Sequence, residues 1–323
     1  MAMTDRAPAT PSAPARVAAT PTAPAAPAAG APAAMSSAEP PLLELATDRG
    51  VLRYREAGDG PPLLLLHGSG PGVTGWRNFS GNVPAFAEHF RTIVLELPGF
   101  GVSDPAGDQH PMASAQTAVQ DFVDGLGLER LSLIGNSMGG FVATQFALDR
   151  PEQVEKLVTV GGAGVSIFSP GPGEGIIRLS AFVEDPTRER LIEWLHSMVY
   201  DKFLVTEEMI EQRWAQATDP ETLASSRLMY GREALAAMAA APRDAAVVPA
   251  WARLGQVQAP TLITWGRDDR VSPVDMALLP LRMLPRGEIH VFPNCGHWVM
   301  IEQKAAFESV VLGFLTRDVN NAT

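Results

Sequence analysis

The sequence predicts an α/β fold built on a mostly parallel sheet, and three observations predict it. Short apolar runs alternate with helical patterns from residue 42 onward. Five of the last six apolar runs are nearly continuous Leu, Ile and Val, the pattern of strands covered by helices on both faces. A hairpin, not a helix, opens the series. Strand–helix alternation of this kind argues for a parallel sheet sandwiched between helices.

In chain order, LLELAT (42–47) and VLRYREAG (51–58) flank Asp48-Arg49-Gly50 and read as the hairpin. PLLLLHG (62–68), TIVLELPG (92–99), LSLIG (131–135) and KLVTVGG (156–162) follow as the third to sixth strands. TLITWG (261–266) and EIHVFP (288–293) complete a set of eight. Helices are expected at about 112–126, 138–149, 274–284 and 301–316, where apolar residues recur at helical spacing.

Between the sixth and seventh strands lies a helical block, residues 164–250, rich in Met, Trp and Ala. A segment that long between neighbouring strands is expected to be a lid over the sheet's C-terminal edge. The core is then 39–163 together with 251–318, followed by a short tail, 319–323. Residues 1–38 stand apart. APATPSAPARVAATPTAPAAPAAGAPAA (7–34) has proline every few residues and almost nothing to bury, so a disordered tail is expected. MSSAEPPLLEL, from Met35, reads as a more ordinary beginning.

Charge and cysteine content narrow the function. The chain of 323 residues has a formal net charge of −11 and no basic run, which argues against a nucleic-acid partner or an anionic membrane surface. An anionic substrate would need its own local arginine. One cysteine, Cys295, excludes an internal disulfide framework and a thiolate metal cluster, and the six histidines lack the spacing of a zinc site. No run approaches the roughly 20 apolar residues of a membrane span, and prolines interrupt every candidate signal sequence. A cytoplasmic protein without metal or organic cofactor is expected.

The chemistry is expected at GNSMGG (135–140), behind the strand LSLI and ahead of the helix FVATQFALDR. Gly135 and Gly139 flank Ser137 as G-x-S-x-G, and the strand–turn–helix context is that of a nucleophile elbow. A serine needs a base, and the base needs an acid to orient it, in the chain order Ser, Asp or Glu, His. His196 falls in the lid and His290 within a strand, whereas His297 in NCGHW follows the last strand and is the expected base. The strand before it ends in GRDDR, which offers both Asp268 and Asp269 as the acid. The loop HGSGPG (67–72) supplies an oxyanion hole from the Ser69 amide, paired with the amide of Met138. His67 is expected to brace this loop and not to react.

Taken together, HGSGPG with GWRNF (75–79), GNSMGG, EGII (174–177), YDKFLVTEEMIEQRW (200–214), LITWGRDDRVSPVD (262–275) and NCGHW resemble the α/β-hydrolase superfamily. More narrowly they resemble its meta-cleavage product hydrolases, over about residues 40–318. The resemblance implies an α/β-hydrolase fold: a mostly parallel eight-stranded sheet flanked by helices, with a helical lid inserted after strand six. It implies that Asp269 is the triad acid. It also implies that Asn78, Asn136, Arg213, Trp298 and Gly70 bind the dienol and carboxylate end of the substrate. The activity implied is serine-dependent hydrolysis of a carbon–carbon bond in a 2-hydroxy-6-oxohexa-2,4-dienoate, by a chain that is commonly a homo-oligomer in this family. The alternatives are a carboxylesterase or lactonase with the same triad, which would not depend on Arg213, and a small-ligand receptor on a hydrolase scaffold. FSPGPGEG (168–175), the Ala-rich EALAAMAAAP (233–242) and the Ala/Pro tail depart from the family pattern. Phe168, Met138, Trp214 and Met229 are candidates to border the pocket for the carbon-6 substituent.

Overall fold

The computed structural model describes residues 39–318 apart from 106, 108, 167, 170 and 241–249. The expected tails, 1–38 and 319–323, lie outside the described residues. The chain opens with β1 (Leu43–Thr47), β2 (Gly50–Ala57) and β3 (Pro62–Leu66), then α1 (Gly75–Phe79), α2 (Val83–Ala87) and β4 (Arg91–Leu95). α3 (Pro111–Gly125), β5 (Leu131–Asn136), α4 (Met138–Asp149) and β6 (Val154–Val160) continue the alternation. Among the described residues five α-helices follow before the next strand: α5 (Glu174–Glu184), α6 (Arg188–Met198), α7 (Glu207–Ala217), α8 (Pro220–Tyr230) and α9 (Arg232–Ala240). β7 (Thr261–Gly266), α10 (Leu278–Met283), β8 (Gly287–Phe292), α11 (Val299–Glu302) and α12 (Lys304–Thr316) complete the fold.

All eight strands form one sheet in the order β1-β2-β4-β3-β5-β6-β7-β8. β1 pairs with β2 and β2 with β4 antiparallel, while the remaining ladders are parallel. Period-two alternation explains why the central runs are apolar throughout. Leu64 and Leu66 point into one core with α3 and α4, and Leu63 and Leu65 into the other with Phe79, Phe86 and Phe307. All four leucines have no solvent exposure, each contributing about 1.5–3 kcal/mol by burial. The second core runs without a break into Phe182, Leu191, Trp194 and Ile210, so the inserted helices rest on the same apolar face.

Three of these inserted helices begin at side-chain caps written in the sequence. Thr187 accepts from the Arg190 amide, Thr206 from Met209, and Asp219 from Thr222 ahead of α8 with Pro220 at its first turn. Two expected helices take a different form. The 274–284 helix begins as a 3₁₀ turn, Val274–Ala277, and only its second half is α10. The 301–316 helix starts earlier and breaks at Gln303, whose φ of −115° and ψ of 39° leave helical geometry. No helix among the described residues is long and apolar enough to cross a membrane.

Candidate active site

Ser137 sits where β5 meets α4, with φ 52° and ψ −115°. A left-handed φ is costly for any residue but glycine and persists only where the surroundings impose it. The flanking glycines are what permit the bend. A Cβ on Gly135 would lie 2.3 Å from the Gly139 carbonyl oxygen, and one on Gly139 would lie 2.1 Å from that of Leu66. No larger residue fits either position, which accounts for G-x-S-x-G at this spacing.

His297 and Asp269 come from the loops after β8 and β7. His297 Nδ1 donates to Asp269 Oδ2 at 2.7 Å, and both side chains are buried. The other carboxylate oxygen of Asp269 accepts from the Val271 and Ser272 amides at 2.8 and 2.9 Å. Asp268 turns away, toward Arg267 at 3.1 Å and the Cys295 amide at 3.4 Å. Of the two aspartates in GRDDR, only Asp269 faces the imidazole.

The loop after β3 is braced by His67. Its Nε2 accepts from the Leu97 amide at 2.8 Å, so the proton sits on Nδ1, which donates to the Gly68 carbonyl at 2.6 Å. Both ring nitrogens are used, and full burial holds the imidazole below its ordinary pKa and neutral. His67 therefore shapes the loop and has no nitrogen left for chemistry. The amides of Ser69 and Met138 donate to no other group among the described residues, as befits the start of a helix and a turn facing it. The Ser69 hydroxyl is joined to Tyr230 of α8, which ties the loop to the inserted helices.

One small cavity is lined by Gly68, Ser69, Gly70 and Ser137 from the core loops, by Asn78 and Asn136, and by His297 and Trp298. Val73 and, from the inserted helices, Trp194, Met198 and Arg213 close it. Sequence reasoning thus placed Ser137, His297, Ser69, Gly70, Asn78, Asn136, Arg213 and Trp298 around one space. Asp269 stands behind His297, and Met138 is buried next to Ser137. Asn78 Nδ2 donates to Asn136 Oδ1 at 3.0 Å, and Asn136 Nδ2 to the Val160 carbonyl at 3.0 Å. The chain ends at Asn78 Oδ1, a buried acceptor without a hydrogen-bond partner among the described residues. An acceptor left open in this way is a place for a hydroxyl donor.

Arg213 is the charge in this space. It is 2% exposed, and its one hydrogen bond among the described residues, from Nη1 to the Pro71 carbonyl, is long at 3.3 Å. Its guanidinium lies 4.3 Å from the centroid of the Trp298 ring. Burial, then the charge of Arg77, pull its pKa down to about 9, so it stays cationic at neutral pH. A buried cation with no ion-pair partner among the described residues carries a desolvation cost that a bound anion would offset.

The pocket-lining candidates from the inserted block fare differently. Phe168 is 77% exposed, Trp214 packs edge-on against Phe182, and Met229 belongs to the main core, so none of the three borders the cavity. Trp194 and Met198 do so instead, and sequence reasoning missed both. Trp194 stands edge-on to Trp298 at 6.0 Å and fills the space above Gly70, where a Cβ would come within 2.4 Å of its ring. The free volume is only about 20 Å³, room for one water, so a substrate of a dozen heavy atoms enters only when inserted side chains move.

Two acidic residues support this site without lining its cavity. Glu96 accepts from the Gly75 and Trp76 amides at 2.7 and 3.0 Å, anchoring the short helix that carries Asn78. Glu302 accepts from the Tyr200 and Asp201 amides at 2.7 and 3.0 Å and from Gly296, joining the end of α6 to the His297 loop. The His297 amide completes that junction by donating to Met198 at 2.7 Å.

Comparison with known proteins places the chain. A family model for the alpha/beta hydrolase fold matches residues 61–304. A 2-hydroxy-6-oxo-6-phenylhexa-2,4-dienoate hydrolase from Burkholderia cepacia is 38% identical over 278 residues, covering 83% of this chain and 93% of that one. A 2-hydroxy-6-oxononadienedioate/2-hydroxy-6-oxononatrienedioate hydrolase from Pseudomonas putida is 40% identical over 270 residues, covering 82% and 91%. Among solved structures, a 2-hydroxy-6-oxo-6-phenylhexa-2,4-dienoate hydrolase from Rhodococcus sp. strain RHA1 superposes with a TM-score of 0.77 at 28% identity, over 86% of this chain and 99% of that one. The meta-cleavage product hydrolase of Pseudomonas fluorescens IP01 does so with a TM-score of 0.75 at 29% identity, over 84% and 97%. With its G-x-S-x-G bend, its buried Asp269–His297 pair and these relatives, the chain belongs to the meta-cleavage product hydrolases of the α/β-hydrolase fold family.

Proposed function

We propose that this protein hydrolyses the bond between carbons 5 and 6 of a 2-hydroxy-6-oxohexa-2,4-dienoate, with Ser137 as nucleophile, His297 as proton carrier and Asp269 as its orienting acid. The observation that carries the reading is Arg213: a buried, acid-free guanidinium in the same cavity as Ser137 and His297. An ester without a carboxylate gives that charge nothing to hold, whereas a dienoate carboxylate gives it a charge-assisted partner.

The substrate lies with its carboxylate on Arg213 and its 2-hydroxyl donating to Asn78 Oδ1. A proton passes from that hydroxyl, by way of His297, to carbon 5, leaving a ketone at carbon 2. Ser137 Oγ then gives its proton to His297 and adds to the carbon-6 carbonyl, and the amides of Ser69 and Met138 receive the oxyanion, each donor worth about 2.7–4 kcal/mol. The carbon 5–carbon 6 bond breaks with its electron pair delocalised onto the carbon-2 oxygen, which takes the proton held by His297. This releases 2-hydroxypenta-2,4-dienoate and leaves an acyl group on Ser137. Water deprotonated by His297 frees the carboxylic acid. Each step moves protons or electron pairs that the substrate, the water and the named residues supply.

The reading includes a cytoplasmic homo-oligomer, which cell fractionation and light scattering would check. The reaction itself is tested by product analysis. A 6-phenyl dienoate should yield benzoate and 2-hydroxypenta-2,4-dienoate in equal amounts, with one oxygen of the benzoate drawn from labelled water. Recovery of intact dienoate would contradict the reading.

A further inference from the structure

A second cavity, which the catalytic reading does not use, lies on the other side of Arg213. It is a groove of about 590 Å³ bordered by α1, α7 and the stretch before β1, and Arg213 lines both it and the catalytic cavity. The two neighbours Arg77 and Asn78 divide between these spaces, Arg77 lining the groove and Asn78 the catalytic cavity.

Three arginines, Arg55, Arg77 and Arg213, and three glutamates, Glu39, Glu96 and Glu208, line the groove, and they differ in what each one touches. Of its acids, Glu39 pairs with Arg55 at 2.6 Å, Glu96 is occupied by the Gly75 and Trp76 amides, and Glu208 accepts from Gln212 at 3.0 Å. Arg77 and Arg213 are left with one backbone carbonyl each, Gly72 at 3.2 Å and Pro71 at 3.3 Å, and no ion pair among the described residues. Arg77 is near enough to depress Arg213, while Glu96 acts on Arg77 in the opposite sense to its burial, so of the two cations Arg213 is the less compensated. The chain as a whole carries a net charge of −11, so its long-range field repels an approaching anion and capture depends on local cations.

We propose that this groove is an outer anion site, in which Arg77 takes the substrate's carboxylate and passes it to Arg213, the residue that groove and catalytic cavity share. The proposal rests on the dienoate reading above and adds to it a route and a steering residue. Arg77 does not touch the reacting atoms; its charge acts on capture.

The test compares wild type, Arg77→Gln and Arg213→Gln on an anionic dienoate and a neutral aryl ester, at about 0.01 M and about 1 M salt, where screening lengths are roughly 30 and 3 Å. Arg77→Gln should lower kcat/KM for the dienoate roughly 5- to 20-fold at low salt, leave kcat near wild type, and leave the ester unchanged. At high salt the difference from wild type should vanish. Gln212→Glu, which places an acid in the same groove, should reproduce the loss, and Arg77→Lys should restore most of the rate. An unaltered salt dependence in Arg77→Gln, or an equal loss on the ester, would overturn the outer site while leaving the catalytic reading intact. Full dienoate turnover by Arg213→Gln would instead remove the reading on which the site rests.

Discussion

Arg213 and Trp298 reach each other from opposite parts of the fold, one on inserted helix α7 and one beyond β8, and stack at 4.3 Å. The contact offers a buried cation the negative face of a ring without supplying the carboxylate that would neutralise it. Stacked in this way, the guanidinium keeps hydrogen-bonding capacity for a ligand. The arrangement favours recognition over stability, since a buried charge without a partner costs several kcal/mol that only an incoming anion recovers.

The Asp269–His297 contact is open to direct test. Asp269→Asn keeps the shape but puts an amide where the imidazole proton is now accepted at 2.7 Å. Turnover should fall about 10³- to 10⁴-fold while KM changes little. Steady-state kinetics beside a melting curve would check it, because an equal loss through unfolding would show in the melt.

His67 predicts a pH dependence of stability. Burial holds its folded pKa below the unfolded value of about 6.5, so between the two the unfolded chain binds the extra proton. Stability is therefore complete above about pH 6.5 and falls as pH drops below it, by at most about 1.4 kcal/mol per pH unit. Urea unfolding between neutral and mildly acid pH should show this slope, and His67→Asn should flatten it. A slope unaffected by the substitution would assign the effect elsewhere.

How much of this was legible in the sequence depends on the residue. Ser137 and His297 follow from chain order and from glycines whose absent Cβ atoms the bend demands. Asp268 and Asp269 could not be separated by spacing, because a one-residue difference in a loop reverses which carboxylate faces the imidazole. The helices α1 and α2 escaped because five residues carry too little periodicity, and α1 is stabilised by Glu96, twenty residues away. Trp194 and Glu302 gain their roles only once the inserted helices settle on the core, a tertiary fact with no local signature.

Trp194 should set the size of substrate that enters. Trp194→Ala removes a fully buried ring from the cavity wall and should cost about 3–5 kcal/mol of stability. The ratio of kcat/KM for a 6-phenyl over a 6-methyl dienoate should rise roughly tenfold as the space opens. Competition kinetics with the two substrates reads that ratio directly, and an unchanged ratio would place the selective contact away from Trp194.

The central claim is that Ser137 and Arg213 act together on one anionic dienoate. Mixing the purified protein with a coloured 6-phenyl dienoate and following its bleaching, beside a neutral aryl ester, tests it most directly. Wild type should bleach the dienoate rapidly, and Ser137→Ala should lose at least roughly 10³-fold on both substrates. Arg213→Gln should lose roughly 10- to 100-fold in kcat/KM on the dienoate alone, the worth of a charged hydrogen-bond pair. Colour that persists while wild type hydrolyses the ester, or bleaching indifferent to Arg213, would contradict the account and point to an ordinary esterase.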